Sequence, residues 1–190
     1  MIQATKKDQQ DAVRIITDTF DKNPSVNIVI GEGGNRKKKI ARLGAYAFVK
    51  AYNRGGAYLS NNRKGVALCF ESERGGTNLN EIWSEVRFAF SIPIKKVFQT
   101  LKREKYIKQH RYAKPHLYFW FLGVQKGGEQ AVYELKDHLF KLSKEKALPI
   151  LLETSVPRMR KAYERYGFEV YHTWDDSGGG KQLWFMKRDA

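Results

Sequence analysis

The chain has 190 residues, 42% of them hydrophobic and 13% aromatic, and it carries a formal net charge of +15. This length and composition exclude an intrinsically disordered chain and allow one large hydrophobic core, so we expect residues 1–190 to form a single domain. The charge predicts an anionic partner: a phosphorylated cofactor, nucleic acid or an acidic surface. Because the basic residues are spread over every segment, the charge does not choose among these partners.

The N-terminus and the single cysteine bear on the compartment. The first residues are polar, and no apolar run approaches the ~20 residues that span a bilayer, so we predict neither a signal peptide nor a membrane partner. Cys69 has no second cysteine to pair with, which makes a reducing, cytoplasmic location the simplest interpretation. His110, His138 and His172 are far apart in the sequence, and we predict no metal site.

The first part of the chain alternates helical and extended patterns. Apolar residues at helical spacing predict helices over residues 8–20 and 36–52, after a possible short strand at residues 2–5. Residues 24–34, between the two helices, are predicted to be a connector. Beyond the second helix, residues 57–60 and 66–71 predict two antiparallel strands around a turn.

The middle of the chain, residues 79–107, again has the spacing of helices, interrupted by Pro93. We interpret the segment from 79 to about 110 as helices that lie over the sheet. The four tryptophans of the chain all fall within apolar patterns, so each is expected in the core or in a pocket wall. This expectation includes Trp83, which lies in the helical segment.

A β-α-β-α pattern follows. An apolar run at residues 116–124 predicts a strand, a glycine-bearing turn occupies residues 125–130, and residues 131–147 have helical spacing. A second apolar run at 148–152 and a short helical pattern at 158–166 complete the unit. The first turn opens a helix N-terminus, and such a position favours an anionic ligand.

Two further apolar runs, at residues 169–174 and 182–186, predict a closing hairpin whose loop is residues 175–180. Strands and helices therefore alternate along the whole chain. This alternation predicts a mixed α/β fold (α+β in its sheet) with helices on both faces.

Three of these segments resemble the GNAT N-acetyltransferase superfamily, whose members transfer acetyl from acetyl-CoA to an amine. Residues 119–124 resemble the fourth strand of the family, and residues 151–155 resemble the fifth. Residues 162–168, Ala-Tyr-Glu-Arg-Tyr-Gly-Phe, are similar to its Tyr-x-x-x-Gly-Phe signature. The resemblance implies a mostly antiparallel mixed sheet in which strands four and five splay apart, so that the pantetheine arm of acetyl-CoA enters the gap.

The resemblance also implies roles for individual residues. The backbone of Leu122, Gly123 and Val124 would pair with the pantetheine arm and polarise the acetyl carbonyl. Tyr163 matches the position whose hydroxyl commonly protonates the leaving thiolate, and the alternative is an aromatic side chain that only packs. His116 or Glu153 would be the base or would anchor a water relay, and each has a structural alternative as a hydrogen-bonded residue.

The phosphate loop departs from the family pattern. Its expected members are consecutive: Lys126, Gly127, Gly128, Glu129, Gln130 and Ala131. The loop is shorter than in the family, Lys126 replaces an Arg or Gln, and Glu129 replaces the central glycine. A carboxylate near a pyrophosphate is unfavourable, although Glu129 could instead complement the helix dipole. Met159, another cofactor-binding candidate, stands where the family often has asparagine.

The resemblance therefore implies an N-acetyltransferase with acetyl-CoA as co-substrate, acting by direct attack of a small-molecule or peptide amine, with Tyr163 as general acid. A second interpretation keeps the fold and drops the chemistry: a ligand-binding module with a degenerate cofactor site. A third, a basic nucleic-acid-associated protein, depends on the charge alone. A homodimer is compatible with the pattern.

Overall fold

The computed structural model describes residues 1–31, 33–73, 75, 78–111, 115–175 and 182–190. Within these ranges seven strands form one sheet: Ile2–Gln3 (β1), Ala57–Leu59 (β2), Gly65–Glu71 (β3), Leu117–Val124 (β4), Ile150–Thr154 (β5), Glu169–Trp174 (β6) and Leu183–Arg188 (β7). Their order across the sheet is β1-β2-β3-β4-β5-β7-β6. Neighbouring strands are antiparallel except for β4 and β5, which are parallel.

The described residues also form seven α-helices: Gln9–Thr19 (α1), Pro24–Ile30 (α2), Arg36–Asn53 (α3), Leu79–Ala89 (α4), Ile94–Gln109 (α5), Gln130–Lys146 (α6) and Pro157–Arg165 (α7). The predicted mixed α/β fold with a mostly antiparallel sheet is therefore confirmed. The predicted loop at 175–180 lies outside the described residues except for Asp175. None of the helices within the described ranges combines the length and hydrophobicity that a membrane-spanning segment requires.

Two hydrophobic clusters cover the two faces of the sheet. Val66 and Leu68 of β3 belong to the cluster that includes residues of α1, α2 and α3. Ala67 and Cys69, which alternate with them, belong to the cluster that contains Leu135 and Leu139 of α6. Because successive strand residues point to opposite faces, this period of two shows that helices cover both sides of the sheet.

The prediction of a connector at residues 24–34 is wrong over its first part, which is the helix α2. The Asn23 side chain accepts hydrogen bonds from the backbone amides of Ser25 (2.9 Å) and Val26 (3.2 Å), and Pro24 occupies the first helical position. A capping side chain and a proline at this position both favour a helix start. They outweigh the β-branched residues near the end of the segment.

The helices α4 and α5 form where the spacing predicts them, but their apolar side chains are oriented differently from the expectation. Trp83, expected in the core or a pocket wall, is 72% exposed. The buried side of α4 instead carries Glu81, which pairs at 2.7 Å with Arg54 directly after α3, and Phe88, which stacks on Tyr46. The buried face of α4 therefore contains an ion pair, and the apolar stripe that we expected on this face lies on the exposed one.

The strands β4 and β5 separate soon after they begin. They pair only at Leu117 with Ile150 and at Tyr118 with Leu151. Further along, β4 stays paired with β3, and a bulge leaves Trp120 without a ladder partner between Phe119 and Phe121. The remainder of β4 thus presents an open backbone edge on the side of β5, in the splayed geometry that the resemblance implies.

Candidate active site

A cavity of about 770 Å³ opens where β4 and β5 separate. Phe119 and Leu122 of β4 line one side of it, and Thr154 at the end of β5 lines the other. Residues of α1, α2 and α3 close one face, and α4 and α5 contribute Glu81, Glu85, Phe88, Thr100 and Glu104 to the wall. A concave site at a break in a sheet is a common place for a ligand.

The structure brings together five of the residues singled out in the sequence: Tyr163, His116, Glu153, Leu122 and Met159 line this cavity. Gly123 and Val124 lie next to it on β4 but do not line it. An added Cβ at Gly123 would come within 2.6 Å of Thr19 Oγ1, so the glycine lets α1 pack closely on the strand. The six loop residues from Lys126 to Ala131 also lie outside the cavity wall.

Tyr163 extends from α7 into the cavity wall. Its ring packs against Phe119 of β4 and Phe168, with centroid distances of 6.4 and 5.5 Å. Burial raises the pKa of the Tyr163 hydroxyl to about 12, because the phenolate is poorly solvated there. The hydroxyl therefore keeps its proton at neutral pH, and the surrounding rings fix its orientation.

Glu153 is the centre of a buried polar cluster. The Tyr118 hydroxyl donates a hydrogen bond of 2.8 Å to Glu153 Oε2, and Arg111 Nε lies 3.5 Å from Oε1. The guanidinium of Arg111 also lies over the Tyr118 ring, 3.8 Å from its centroid. Burial raises the pKa of the Glu153 carboxyl, and the charge of Arg111 and the Tyr118 hydrogen bond oppose that shift.

Sequence reasoning missed the partners of Glu153. Tyr118 of β4 pairs with Leu151 of β5, and Glu153 lies two residues beyond Leu151. Because every second residue of a strand points to the same face, Tyr118 and Glu153 share a face of the sheet. That alternation was a usable signal, since Glu153 interrupts an apolar run. Arg111 had no such signal, because its position depends on the path of α5.

A second polar contact links α2 to the end of β5. The hydroxyls of Ser25 and Ser155 are 2.7 Å apart, and Arg103 of α5 donates to Ser25 Oγ at 3.5 Å. All three residues line the cavity. The helix α2 was not predicted, so Ser25 could not be assigned to the site from the sequence.

The wall towards α3 is aromatic. Tyr46 stacks on Phe88 and meets Trp120 edge to face, and all three line the cavity. The Lys50 ammonium lies 5.3 Å from the Tyr46 ring centroid and 5.4 Å from that of Trp120, and burial lowers its pKa. This wall therefore already accommodates one amine against aromatic faces.

The loop after β4 is short and braced. Gln125 N donates to Lys64 O at 2.8 Å, and an added Cβ at Gly128 would meet the Lys64 Cβ at 2.7 Å. The Glu129 carboxylate accepts a hydrogen bond of 3.0 Å from Gly127 N and another from its own amide, which hold its pKa below the usual range. A side-chain anion thus occupies amides of the loop that would face a pyrophosphate.

The histidines are less dispersed in space than in sequence. His110 at the end of α5 stacks on His172 of β6 with centroids 4.5 Å apart, and Tyr106 donates or accepts a 3.0 Å hydrogen bond with His172. Over the described ranges, however, no group of three or more His, Cys, Asp or Glu residues is arranged to hold a metal ion. The cluster joins α5 to the edge of the sheet.

Comparisons with known proteins agree on the fold. No family model and no curated protein sequence matches the chain. Solved structures match over nearly the whole length: the C-terminal condensation domain of Ebony in complex with beta-alanyl-dopamine has 12% identity and a TM-score of 0.67, covering 100% of this chain and 97% of that one.

Two further structures are amine acetyltransferases. A polyamine N-acetyltransferase from Drosophila melanogaster has 11% identity and a TM-score of 0.65, with 99% of this chain and 98% of that one covered. Arylalkylamine N-acetyltransferase 2 from Aedes aegypti has 15% identity and a TM-score of 0.63, with 99% and 97% covered. The chain has the GNAT fold. At these identities the likeness shows the fold, and the chemistry depends on the residues of the site.

The buried cluster makes a prediction about stability. Replacing Tyr118 with Phe removes the donor to Glu153 and leaves a buried carboxylate oxygen without it, so the free energy of unfolding should fall by roughly 1–3 kcal/mol. Chemical denaturation measures this, with Tyr133→Phe as the control because Tyr133 is exposed on α6. Equal stability of the two variants would contradict the described hydrogen bond.

Proposed function

We propose that the protein is an N-acetyltransferase that transfers acetyl from acetyl-CoA to the amine of a small molecule. The observation that carries the proposal is the separation of β4 and β5 after two residue pairs, with Tyr163 in the wall of the cavity that opens there. Neighbours with the same fold are N-acetyltransferases of arylalkylamines and polyamines, which supports an amine acceptor.

The residues present fit acetyl-CoA along the strand and less well at the loop. The open edge of β4 offers backbone amides and carbonyls to an extended pantetheine arm, as an added strand would use them. At the loop, Lys126 and Lys64 supply positive charge, whereas Glu129 already occupies the Gly127 amide. Because Glu129 is exposed, its side chain can turn towards solvent when a phosphate takes its place.

Acetyl-CoA supplies a thioester, and the protein supplies proton transfer and orientation. The amine nitrogen forms a bond to the thioester carbonyl carbon, the carbon–sulfur bond breaks, and the sulfur takes a proton. We assign Tyr163 as the general acid, since its hydroxyl is protonated at neutral pH and the residue lines the cavity. Solvent then returns the proton to Tyr163.

The attacking amine must lose a proton, and we propose Glu153 as the group that accepts it, directly or through a water. Its side chain is 6% exposed, it lines the cavity, and burial raises its pKa, which makes the carboxylate a stronger base than an exposed one. Arg111 holds one carboxylate oxygen and Tyr118 holds the other, which fixes the orientation of the group. His116, buried at the start of β4, is the competing candidate.

The acceptor that suits this cavity is an amine with an apolar or aromatic body. Tyr46, Phe88 and Trp120 form an aromatic wall, and the carboxylate of Glu85 lies on the same cavity, whereas Glu81 and Glu104 are paired with Arg54 and Lys108. Aromatic faces attract an ammonium group, so this wall favours an amine with an aromatic or apolar body. Cytoplasmic location and single-domain organisation remain predictions.

One observation favours a second function. The Glu129 carboxylate in the loop is compatible with a binding module that keeps the cavity and has lost its acyl donor. In that case the cavity would bind an amine without turnover. Release of free thiol from acetyl-CoA in the presence of arylalkylamines and polyamines separates the two functions.

Tyr163→Phe should lower kcat for thiol release by roughly a hundredfold or more, the usual contribution of a general acid, while KM for the amine changes little. The matched control is Tyr166→Phe, because Tyr166 lies at the end of the same helix and outside the cavity wall. Equal rates for Tyr163→Phe and the wild type would show that the tyrosine only packs.

The proposed base predicts a pH dependence. Since the Glu153 pKa is raised, kcat should fall on the acid side as pH drops through that pKa, where the carboxyl becomes protonated and cannot accept a proton. Glu153→Gln should reduce kcat and abolish this acid limb, as measured by a pH profile on protein shown by circular dichroism to be folded. If the limb persists in Glu153→Gln and disappears in His116→Gln, the base is His116 and the assignment of Glu153 is wrong.

A further inference from the structure

The outer faces of α4 and α5 carry most of the exposed apolar surface. Of the eleven large hydrophobic side chains that are exposed among the described residues, eight belong to these helices and the turn between them: Leu79, Ile82, Trp83, Val86, Phe90, Ile94, Phe98 and Leu101. The exposure is extensive, reaching 85% for Phe90 and 78% for Leu79. Apolar patches of this kind mark interaction surfaces in soluble proteins.

The spacing shows that the surface is organised. Positions 79, 82, 83, 86 and 90 repeat every three or four residues, as do 94, 98 and 101, so that each helix exposes one apolar stripe. The opposite side of α4 buries the Glu81–Arg54 ion pair. The buried side of α4 therefore includes a polar contact, and its apolar stripe faces outwards. In most amphipathic helices of globular proteins the apolar stripe instead packs against the core.

The charges on the two helices are sorted in the same way. Their three acidic residues, Glu81, Glu85 and Glu104, all line the cavity. The charged residues of the same helices that do not line the cavity are all basic: Arg87, Lys95, Lys96, Lys102 and Lys105. The charged residues beside the apolar stripes are therefore mostly basic, although Glu85 is exposed and Glu104 also lies next to Leu101.

We propose that this surface, the outer faces of α4 and α5, docks on an anionic lipid bilayer. Amphipathic helices with Trp, Phe and Leu on one side and Lys or Arg beside them lie in the membrane interface, where apolar burial and attraction to anionic headgroups act together. A second copy of the chain fits less well, because it would bring two mostly basic rims and two net charges of +15 together. The prediction of no membrane partner was based on the length of apolar runs, which bears on spanning a bilayer and not on docking at its surface.

This surface also has a defined relation to the site. The helices that carry it turn Phe88, Thr100 and Glu104 towards the cavity. A bilayer bound on their outer side would therefore lie directly outside one wall of the pocket. The docking does not depend on acetyl transfer, and its test does not use activity.

The test is sedimentation of the full chain with vesicles of phosphatidylcholine and phosphatidylglycerol in equal amounts, and with vesicles of phosphatidylcholine alone. The wild type should partition onto the mixed vesicles at least about tenfold more strongly than onto the neutral ones, and high salt should weaken that binding. Equal binding to both vesicle types, or no binding to either, would overturn the proposal.

Variants separate the apolar from the basic contribution. Combining Trp83→Ser, Phe90→Ser and Phe98→Ser should reduce partitioning by at least about tenfold, because exposed anchors can be removed without cost to the core. Tyr133→Ser is the control, since Tyr133 is also exposed but lies on α6. Combining Lys95→Gln, Lys102→Gln and Lys105→Gln should remove the preference for anionic vesicles.

Sedimentation equilibrium without lipid tests whether a second copy of the chain binds this surface, because it measures the oligomeric state. A monomeric wild type agrees with the proposal. A wild-type dimer that Trp83→Ser, Phe90→Ser and Phe98→Ser together dissociate, with no vesicle binding, would assign the surface to a second copy and overturn the membrane proposal.

Discussion

The structure depends on the early separation of β4 and β5. Two parallel residue pairs join these central strands, and beyond Tyr118 each strand follows its other neighbour, β3 on one side and β7 on the other. An unpaired backbone edge inside a sheet is costly unless a partner satisfies it. The fold therefore places unfilled hydrogen-bonding capacity beside a cavity of about 770 Å³, and a ligand with an extended amide-bearing arm is the natural partner for it.

The separation is stabilised from both sides. On one face, Tyr163 packs between Phe119 and Phe168 and so ties α7 to β4. On the other, the Tyr118–Glu153 hydrogen bond connects β4 to β5, and the Arg111 ion pair connects β5 to the segment that follows α5. Burying these charges costs desolvation energy that their mutual contacts only partly offset. A cluster that adds little net stability is well suited to proton transfer, because its groups are fixed in place and have shifted pKa values.

Much of this could be predicted from the sequence. Periodicity predicted most of the helices and strands, and the resemblance of residues 119–124, 151–155 and 162–168 to the GNAT family implied the mostly antiparallel sheet with its splayed strands. Contacts that depend on tertiary placement were not predictable. Arg111 reaches Glu153 only because of the path of α5. Ser25 lies on α2, a helix that we did not predict, because its β-branched residues concealed the helix start at Asn23 and Pro24. The prediction that Trp83 is buried was wrong, because periodicity identifies an apolar stripe but not the direction in which the stripe faces. In α4 the buried side is the one on which Glu81 pairs with Arg54.

The central claim is that the slot between β4 and β5 binds acetyl-CoA although Glu129 occupies an amide of the loop. Calorimetric titration of acetyl-CoA into the wild type, Glu129→Ala and the control Glu145→Ala, whose site is exposed at the far end of α6, tests this most directly. We expect the wild type to bind, Glu145→Ala to bind equally, and Glu129→Ala to bind roughly two- to fivefold more tightly, since one exposed like-charge contact is removed. Absence of binding by both the wild type and Glu129→Ala would contradict the account.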